Sequence, residues 1–322
     1  MHKSALFVPQ AALPALTCPH MSVTPTAAEE PLAIEVKHLA FLIVINLIWG
    51  LNLIASKIGV QSFPPIFFTA LRFLSIAVLL LPVWRLHRGQ MRPLLAATAL
   101  TGPVAFAFLF VGLRKAEDAS TVAIATQMGV PFSTLLSVWL LGETIRWKRR
   151  LGIALAFGGI VIIGFDPRVL QYWEGLALVV VSTFFSSLGL IYLKRLRNIR
   201  PLELQVWTAV VGAPVLLLLS WGLESGQLTA LRSAGWEGWG ALAFTVLMSS
   251  LVAHTGWYYL VSRYPVTSLS PITLLSPLFG IFFGVTLLDD QLTPRMLIGG
   301  AITLVGVLIV VMREKRLVDT GT

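Results

Sequence analysis

Leu39–Gly50 reads LAFLIVINLIWG, and Leu151–Gly164 reads LGIALAFGGIVIIG. Both stretches are apolar on every side. They lack the single stripe of a soluble amphipathic helix and the every-second-residue alternation of a transmembrane strand. A bilayer core about 30 Å thick takes about 20 such residues per helical crossing. Working outward from these two stretches, apolar runs of that order cover 38–57, 65–84, 93–113, 118–141, 147–165, 172–193, 200–221, 236–260, 266–288 and 294–312. Charged residues make up only 12% of the 322-residue chain and hydrophobic residues 56%, whereas soluble domains carry about 25% charged residues. The expected fold class is an all-α membrane protein. The runs fall into two sets of five, and five is odd, so the second set enters the bilayer from the side opposite to the first. The expectation is ten transmembrane helices as two inverted five-helix repeats, a plan shared by many secondary transporters.

The two halves also correspond residue by residue. A shift of 147 places Leu140-Leu141 on Leu287-Leu288, Glu143 on Asp290, Gly152 on Gly299 and Gly159 on Gly306. Each half thus closes on an apolar helix, a short acidic turn and a glycine-bearing helix. The glycines share one helix face and predict close backbone approach, the way helices associate where lipid removes the hydrophobic drive between them. Glu143 and Asp290 read as anchors at helix ends. The expected organisation is a disordered cytoplasmic tail over 1–37, a first repeat over 38–166, a second over 172–312 and a short cytoplasmic tail over 313–322. The Pro/Ala/Thr-rich first tail resembles a signal segment only faintly, because Pro9 and Pro14 interrupt its apolar part. Met21 is an alternative start.

A net charge of +9 raises the question of nucleic acid, and the charge distribution answers it. Seventeen of the 24 Lys and Arg residues belong to one side: Lys3 and Lys37, then groups around Arg85–Arg92, Arg146–Arg150, Lys194–Arg200, Arg263 and Arg313–Arg316. Six lie on the other side, namely Lys57, Arg114, Lys115, Arg168, Arg232 and Arg295, and Arg72 falls inside a run. Cytoplasmic loops carry the excess of Lys and Arg, so both termini are expected in the cytoplasm. The positive charge is topological, and no nucleic-acid partner is expected. The single cysteine, Cys18, excludes an internal disulfide and a cysteine-based metal site. Neither cofactor nor metal is expected.

Several short motifs stand out: Trp49-Gly50-Leu51-Asn52, Lys57, Pro64-Pro65 and Ala70-Leu71-Arg72-Phe73, then Leu141-Gly142-Glu143 with Gly152, and Pro277, Leu288-Asp289-Asp290 and Gly299. Over 38–312 this pattern resembles the EamA family of the drug/metabolite transporter superfamily. Its opening and the position of Gln127 are most similar to exporters of cysteine and O-acetylserine. The resemblance implies a multi-pass protein of the cell inner membrane with cytoplasmic termini. It implies export of small amino acids or related metabolites by alternating access, without enzymatic turnover. Asp290 departs from the family's usual glutamate, and His254 is not a family feature.

Polar groups deep in a bilayer face a cavity or another helix, because lipid cannot solvate them. The candidate substrate-binding residues are Trp49, Asn52, Arg72, Gln127, His254, Trp257 and Tyr258. Arg72, flanked by Thr69 and Ser75, is read either as a contact for a substrate carboxylate or as a tether bonded to helix carbonyls. Trp49, Asn52 and Ser56 form a stripe on the first run, and Trp49 lies away from the usual interfacial belt. Gln127 sits one turn before Pro131. His254 follows Ser250 and precedes Trp257 and Tyr258 on one helical face, and its imidazole is either titratable or a neutral packing group. Ser270, Thr273, Pro277, Gly280 and Gly284 line one face of the ninth run, either for close packing or to free carbonyls near the repeat interface.

No Asp or Glu occupies the middle third of any run. A binder of organic cations needs such a carboxylate, so the set of arginine, histidine, amides and hydroxyls suits a small solute that itself carries a carboxylate, such as a zwitterionic amino acid. Two other readings stay open: an exporter of other metabolites or drugs, and a membrane channel or scaffold. No ring of like charges marks a channel filter. No H-E-x-x-H is present, and His254 with Ser250 lacks an acidic third member, so no catalytic residues are expected. The expected partners are the lipid bilayer and a small-molecule substrate, with the oligomeric state open.

Overall fold

The structure, a computed structural model, describes residues 34–142, 144–194, 196–197, 199–261, 263–264, 269 and 271–312. The tail before residue 34 with Cys18, Glu143, Ser270 and the tail from residue 313 lie outside the described residues, as does the side chain of Tyr258. The described chain is helical. Its long helices are α1 (Val36–Ser62), α2 (Pro65–Val83), α3 (Met91–Lys115), α4 (Ala119–Leu141), α5 (Trp147–Gly164), α6 (Trp173–Leu193), α7 (Pro201–Leu223), α8 (Trp236–Trp257), α9 (Ile272–Leu288) and α10 (Pro294–Val311). A short helix, Gln227–Ser233, joins α7 to α8.

Eight of the long helices are long and apolar enough to cross a membrane. The two others differ from the expected runs for separate physical reasons. α5 begins with Trp147-Lys148-Arg149-Arg150, so its first turn is an interfacial, charged segment. The run expected over 266–288 is helical as α9 only from Ile272, and residues 266–268 and 270 lie outside the described ones. The other boundaries agree to within five residues. Large apolar side chains such as Val78, Leu218 and Trp221 face outward around the perimeter, an arrangement that acyl chains solvate and water does not.

Local chemistry explains where the helices bend. Pro103 removes a backbone donor inside α3, and the helix loosens into a π turn over Leu100–Val104 with Gly102 at φ −98°, ψ −105°. α8 contains a π stretch over Thr245–Ala253. α4 tightens to a 3₁₀ turn at Thr126–Met128 before Pro131, and α9 opens on a 3₁₀ turn at Ile272–Leu274 before Pro277. α4 ends at Gly142 (φ 68°) and α9 at Asp289 (φ 55°), both in the left-handed region that stops a helix.

The principal helix pairings are α5 with α10, α2 with α7, α3 with α6, α1 with α9 and α8, and α4 with α6 and α9. In the first of these, backbones nearly touch. A Cβ on Gly152 would meet the Gly306 carbonyl at 2.8 Å, and one on Gly299 would meet the Gly159 carbonyl at 2.6 Å. Because Gly152 faces Gly306 while Gly159 faces Gly299, α5 and α10 run in opposite senses. α9 packs through its small residues as well: a Cβ on Gly280 would meet Ala123 of α4 at 3.1 Å, and Gly50 of α1 lies against Phe279. The small face of α9 is therefore a packing face.

Candidate functional site

α2 carries Arg72 into the interior, where the residue is 4% exposed. Its Nη2 donates to Ser250 Oγ on α8 at 3.0 Å, with Nε at 3.3 Å, and its guanidinium lies 5.3 Å from the centre of the Phe106 ring. Ser250 sits in the π stretch of α8, and its hydroxyl donates to the Thr245 carbonyl at 2.9 Å. That bond uses the only proton of the hydroxyl and leaves its lone pairs for Arg72. Gln205 on α7 donates through Nε2 to the Ser250 carbonyl at 2.9 Å. Ser250 therefore joins α2, α7 and α8. Of the two roles read for Arg72, the carbonyl tether is replaced by a bond to a hydroxyl.

A cavity of about 200 Å³ is lined by Arg72, Phe106, Ser186, Gln205, Thr208, Ser250 and His254, among others. A larger one, about 490 Å³, shares Leu190, Leu193, Leu204 and His254 with it and adds Trp49 and Trp257. The second reaches Leu196, Ile199 and Pro201 at the α6–α7 connection. His254 stands where the two meet. Its Nδ1 lies 2.6 Å from the Ser249 carbonyl, and its ring packs edge-on against Trp49 at 5.5 Å. Trp49 also lies 5.9 Å from Trp257. No carboxylate lines either cavity among the described residues.

The candidate residues thus divide. Arg72, His254, Trp49 and Trp257 line the two cavities. Asn52 and Gln127 do not line them, and Gln127 belongs to the 3₁₀ turn of α4. Thr69 returns its hydroxyl to the Pro65 carbonyl at 2.9 Å, so it serves its own helix. Gln205 and Phe106 were missed by sequence reasoning. Gln205 had a readable signal, as the one side-chain amide in the run 200–221, whereas nothing in sequence distinguishes Phe106 from the other phenylalanines. Several buried polar atoms here have no hydrogen-bond partner among the described residues: Trp49 Nε1, Asn52 Oδ1, Gln205 Oε1 and Ser249 Oγ.

The far end of α1 is bolted shut. Lys57 Nζ donates to the Leu113 carbonyl at 2.8 Å and also to the Ala116 carbonyl, so it satisfies the C-terminal end of α3. Arg114 returns the contact by donating to the Val60 carbonyl. Glu224 accepts from the Ile66 and Phe67 amides at 2.8 and 2.9 Å, capping α2. Asp290 accepts from the Ser120 amide and hydroxyl, both at 2.7 Å, and so anchors the start of α4. Tyr172, between α5 and α6, donates to Asp118 Oδ2 at 2.8 Å. Burial pushes the Asp118 carboxyl upward, and the Tyr172 hydroxyl pulls it the other way.

The EamA-like transporter family is matched twice in this chain, over residues 37–165 and 173–312. A "Probable amino-acid metabolite efflux pump" of Escherichia coli (strain K12) is 26% identical over 294 residues, covering 88% of this chain and 98% of that protein. The "Uncharacterized inner membrane transporter YedA" of the same strain is 26% identical over 260 residues, covering 78% of this chain and 83% of its own. A solved crystal structure of 18% identity superposes with a TM-score of 0.54, covering 85% of this chain and 96% of that one. With eight helices apolar enough for a bilayer and the family matched over most of its length, this chain is a multi-pass membrane protein that belongs to the EamA-like transporter family.

Proposed function

We propose that this transporter exports small amino acids or related metabolites of the cysteine and O-acetylserine kind across the cell inner membrane. It does so by alternating access, with Arg72 meeting the solute carboxylate. The observation that carries the reading is Arg72 itself. A buried guanidinium has five donors, and here it is bonded to one neutral hydroxyl at the wall of a cavity with no carboxylate among the described residues. A solute that brings its own carboxylate completes that site, and Gln205 Oε1, without a hydrogen-bond partner among the described residues, suits the ammonium end of a zwitterion. Trp49, Trp257 and His254 line the path, and Tyr258, Asn52 and Gln127 are proposed as further substrate-binding residues. The relative named as an efflux pump for amino-acid metabolites supports the solute class.

The architecture belongs to the same proposal: ten crossings in two inverted repeats, 38–166 and 172–312, with both termini and the flanking tails in the cytoplasm. Exchanging each helix for the one five places along the chain maps the principal pairings onto themselves: α1–α9 becomes α6–α4, and α1–α8 becomes α6–α3. The π turns of α3 and α8 and the 3₁₀ turns of α4 and α9 recur under the same exchange. In this orientation the cavity faces the cytoplasm and the Lys57 end is closed.

The test is a competition panel in liposomes containing the purified protein. Saturable transport inhibited by small neutral amino acids is expected. Inhibition confined to lipophilic cations overturns the solute class, and unitary conductance overturns the carrier.

A further inference from the structure

Three hydroxyls gather where α3, α6 and α7 line the Arg72 cavity: those of Thr101, Ser186 and Thr208. Packing brings them together. Thr101 lies in the π turn of α3. The next residue, Gly102, receives the Thr208 methyl from α7: a Cβ on Gly102 would meet Thr208 Cγ2 at 2.6 Å. The Thr101 methyl is seated in turn against Gly189 of α6, where a Cβ would meet Cγ2 at 2.5 Å. Ser186 precedes Gly189 by three residues and so shares its face of α6. The two glycines are what let the three helices close around the hydroxyls.

Each threonine is held by both of its branches. While its methyl rests on a glycine, its hydroxyl donates along its own helix, Thr101 to the Ala97 carbonyl at 2.8 Å and Thr208 to the Leu204 carbonyl at 2.9 Å. With those protons committed, the two oxygens act towards the cavity as acceptors, and Ser186 adds a hydroxyl that can donate as well as accept. A hydroxyl on the ligand answers both kinds of partner. A thiol does so more weakly, an ester can only accept, and a methyl does neither. The surrounding wall of Phe73, Ile76, Leu190 and Leu193 is apolar, and by itself it favours the methyl. At about 200 Å³, the cavity is smaller than pockets for drug-sized ligands, which begin at about 300 Å³. We infer that Thr101, Ser186 and Thr208 form a side-chain subsite that sets specificity, selecting small amino acids whose side chain ends in a hydroxyl or thiol over their methyl isosteres and over O-acylated forms. The solute carboxylate on Arg72, as proposed above, places the side chain of the same solute at this cluster, and the subsite rests on that reading.

The experiment uses the full chain in liposomes and compares serine, cysteine and α-aminobutyrate as competitors. These share one skeleton and differ only in the hydroxyl, thiol or methyl on Cβ. O-acetylserine and ethanolamine, which is serine without its carboxylate, complete the panel. Serine should compete about tenfold better than α-aminobutyrate, the effect of one or two neutral hydrogen bonds, with cysteine between them and O-acetylserine behind serine. Thr101→Val/Thr208→Val keeps the methyls on their glycines and removes both acceptors, so the ratio of serine to α-aminobutyrate should collapse. Should that double variant fail to fold, Thr208→Val alone should lose about threefold of the ratio. Competition by α-aminobutyrate equal to that by serine, with ethanolamine inactive, overturns the subsite and leaves the Arg72 contact standing. A serine preference that survives the valine variants unchanged also overturns it. Competition by ethanolamine equal to that by serine overturns the Arg72 contact itself, and the subsite falls with it.

Discussion

Arg72 is the residue on which transport should depend most directly. Replacing a charge-assisted hydrogen bond by a neutral one removes about 1.5–3 kcal/mol, or about ten- to a hundredfold in rate. Arg72→Gln should lose that much transport per folded molecule for carboxylate-bearing solutes. Arg72→Lys should recover part of it, because lysine keeps the charge but not the planar fork. Transport normalised to folded protein in liposomes decides the matter, and a wild-type value for Arg72→Gln leaves the residue as the bond between α2 and α8 only. Ser250→Ala is the complementary change. It strips Arg72 of its hydroxyl partner and should lower the unfolding midpoint in detergent while the charge stays in place.

At the scale of the helices, two contacts are sharply defined. The α5–α10 crossing has carbonyl oxygens where a side chain would go, and backbone cannot yield as a side-chain tip can. Gly299→Val should therefore destabilise the protein by at least about 1–3 kcal/mol, the usual cost of overpacking. Gly158→Val, one position from the crossing and facing open space, should cost far less; thermal unfolding of the two variants compares them. The second contact is between Tyr172 and Asp118. Because burial raises the folded pKa of Asp118, the protonated carboxyl is the form that the fold prefers. Its contribution is fully present below the ordinary carboxylate pKa and is lost as pH rises through the folded value. Asp118→Asn should remove this dependence, so the midpoint difference between variant and wild type should shift in favour of the variant from acid to neutral pH. A constant difference would rule the effect out.

For the molecule as a whole, the decisive question is which end faces the cytoplasm. Single cysteines at Gln61 and Ser225, in a Cys18→Ser background, should label from outside whole cells with an impermeant thiol reagent, and one at Gln90 should not. The reverse pattern inverts the molecule and turns the cavity mouth at Leu196–Pro201 outward. The Lys57 clamp on α3 would then close the cytoplasmic end.

Membrane class, the approximate helix runs and the family were all legible in the residues. Partition into lipid is a local, nearly additive property of each segment, so LAFLIVINLIWG favours the bilayer whatever surrounds it. The close-packing faces of the closing helices were legible for a similar reason, since the spacing of seven puts Gly152 and Gly159 on one face, but that α5 meets α10 through them came only from the structure. The site was only half legible. Arg72 stands out because a charge in an apolar run is conspicuous, but its partner Ser250 is 178 residues away and Gln205 a further helix across. Those meetings follow from packing: Pro103 loosens α3, the π stretch of α8 changes the direction in which Ser250 points, and small residues let α1, α4 and α9 approach. Asn52 and Gln127 look as polar in sequence as Trp49 or His254, yet only the second pair reaches the cavities. Hydropathy records that a side chain is costly in lipid, and only the tertiary structure decides which neighbour, cavity or carbonyl offsets that cost.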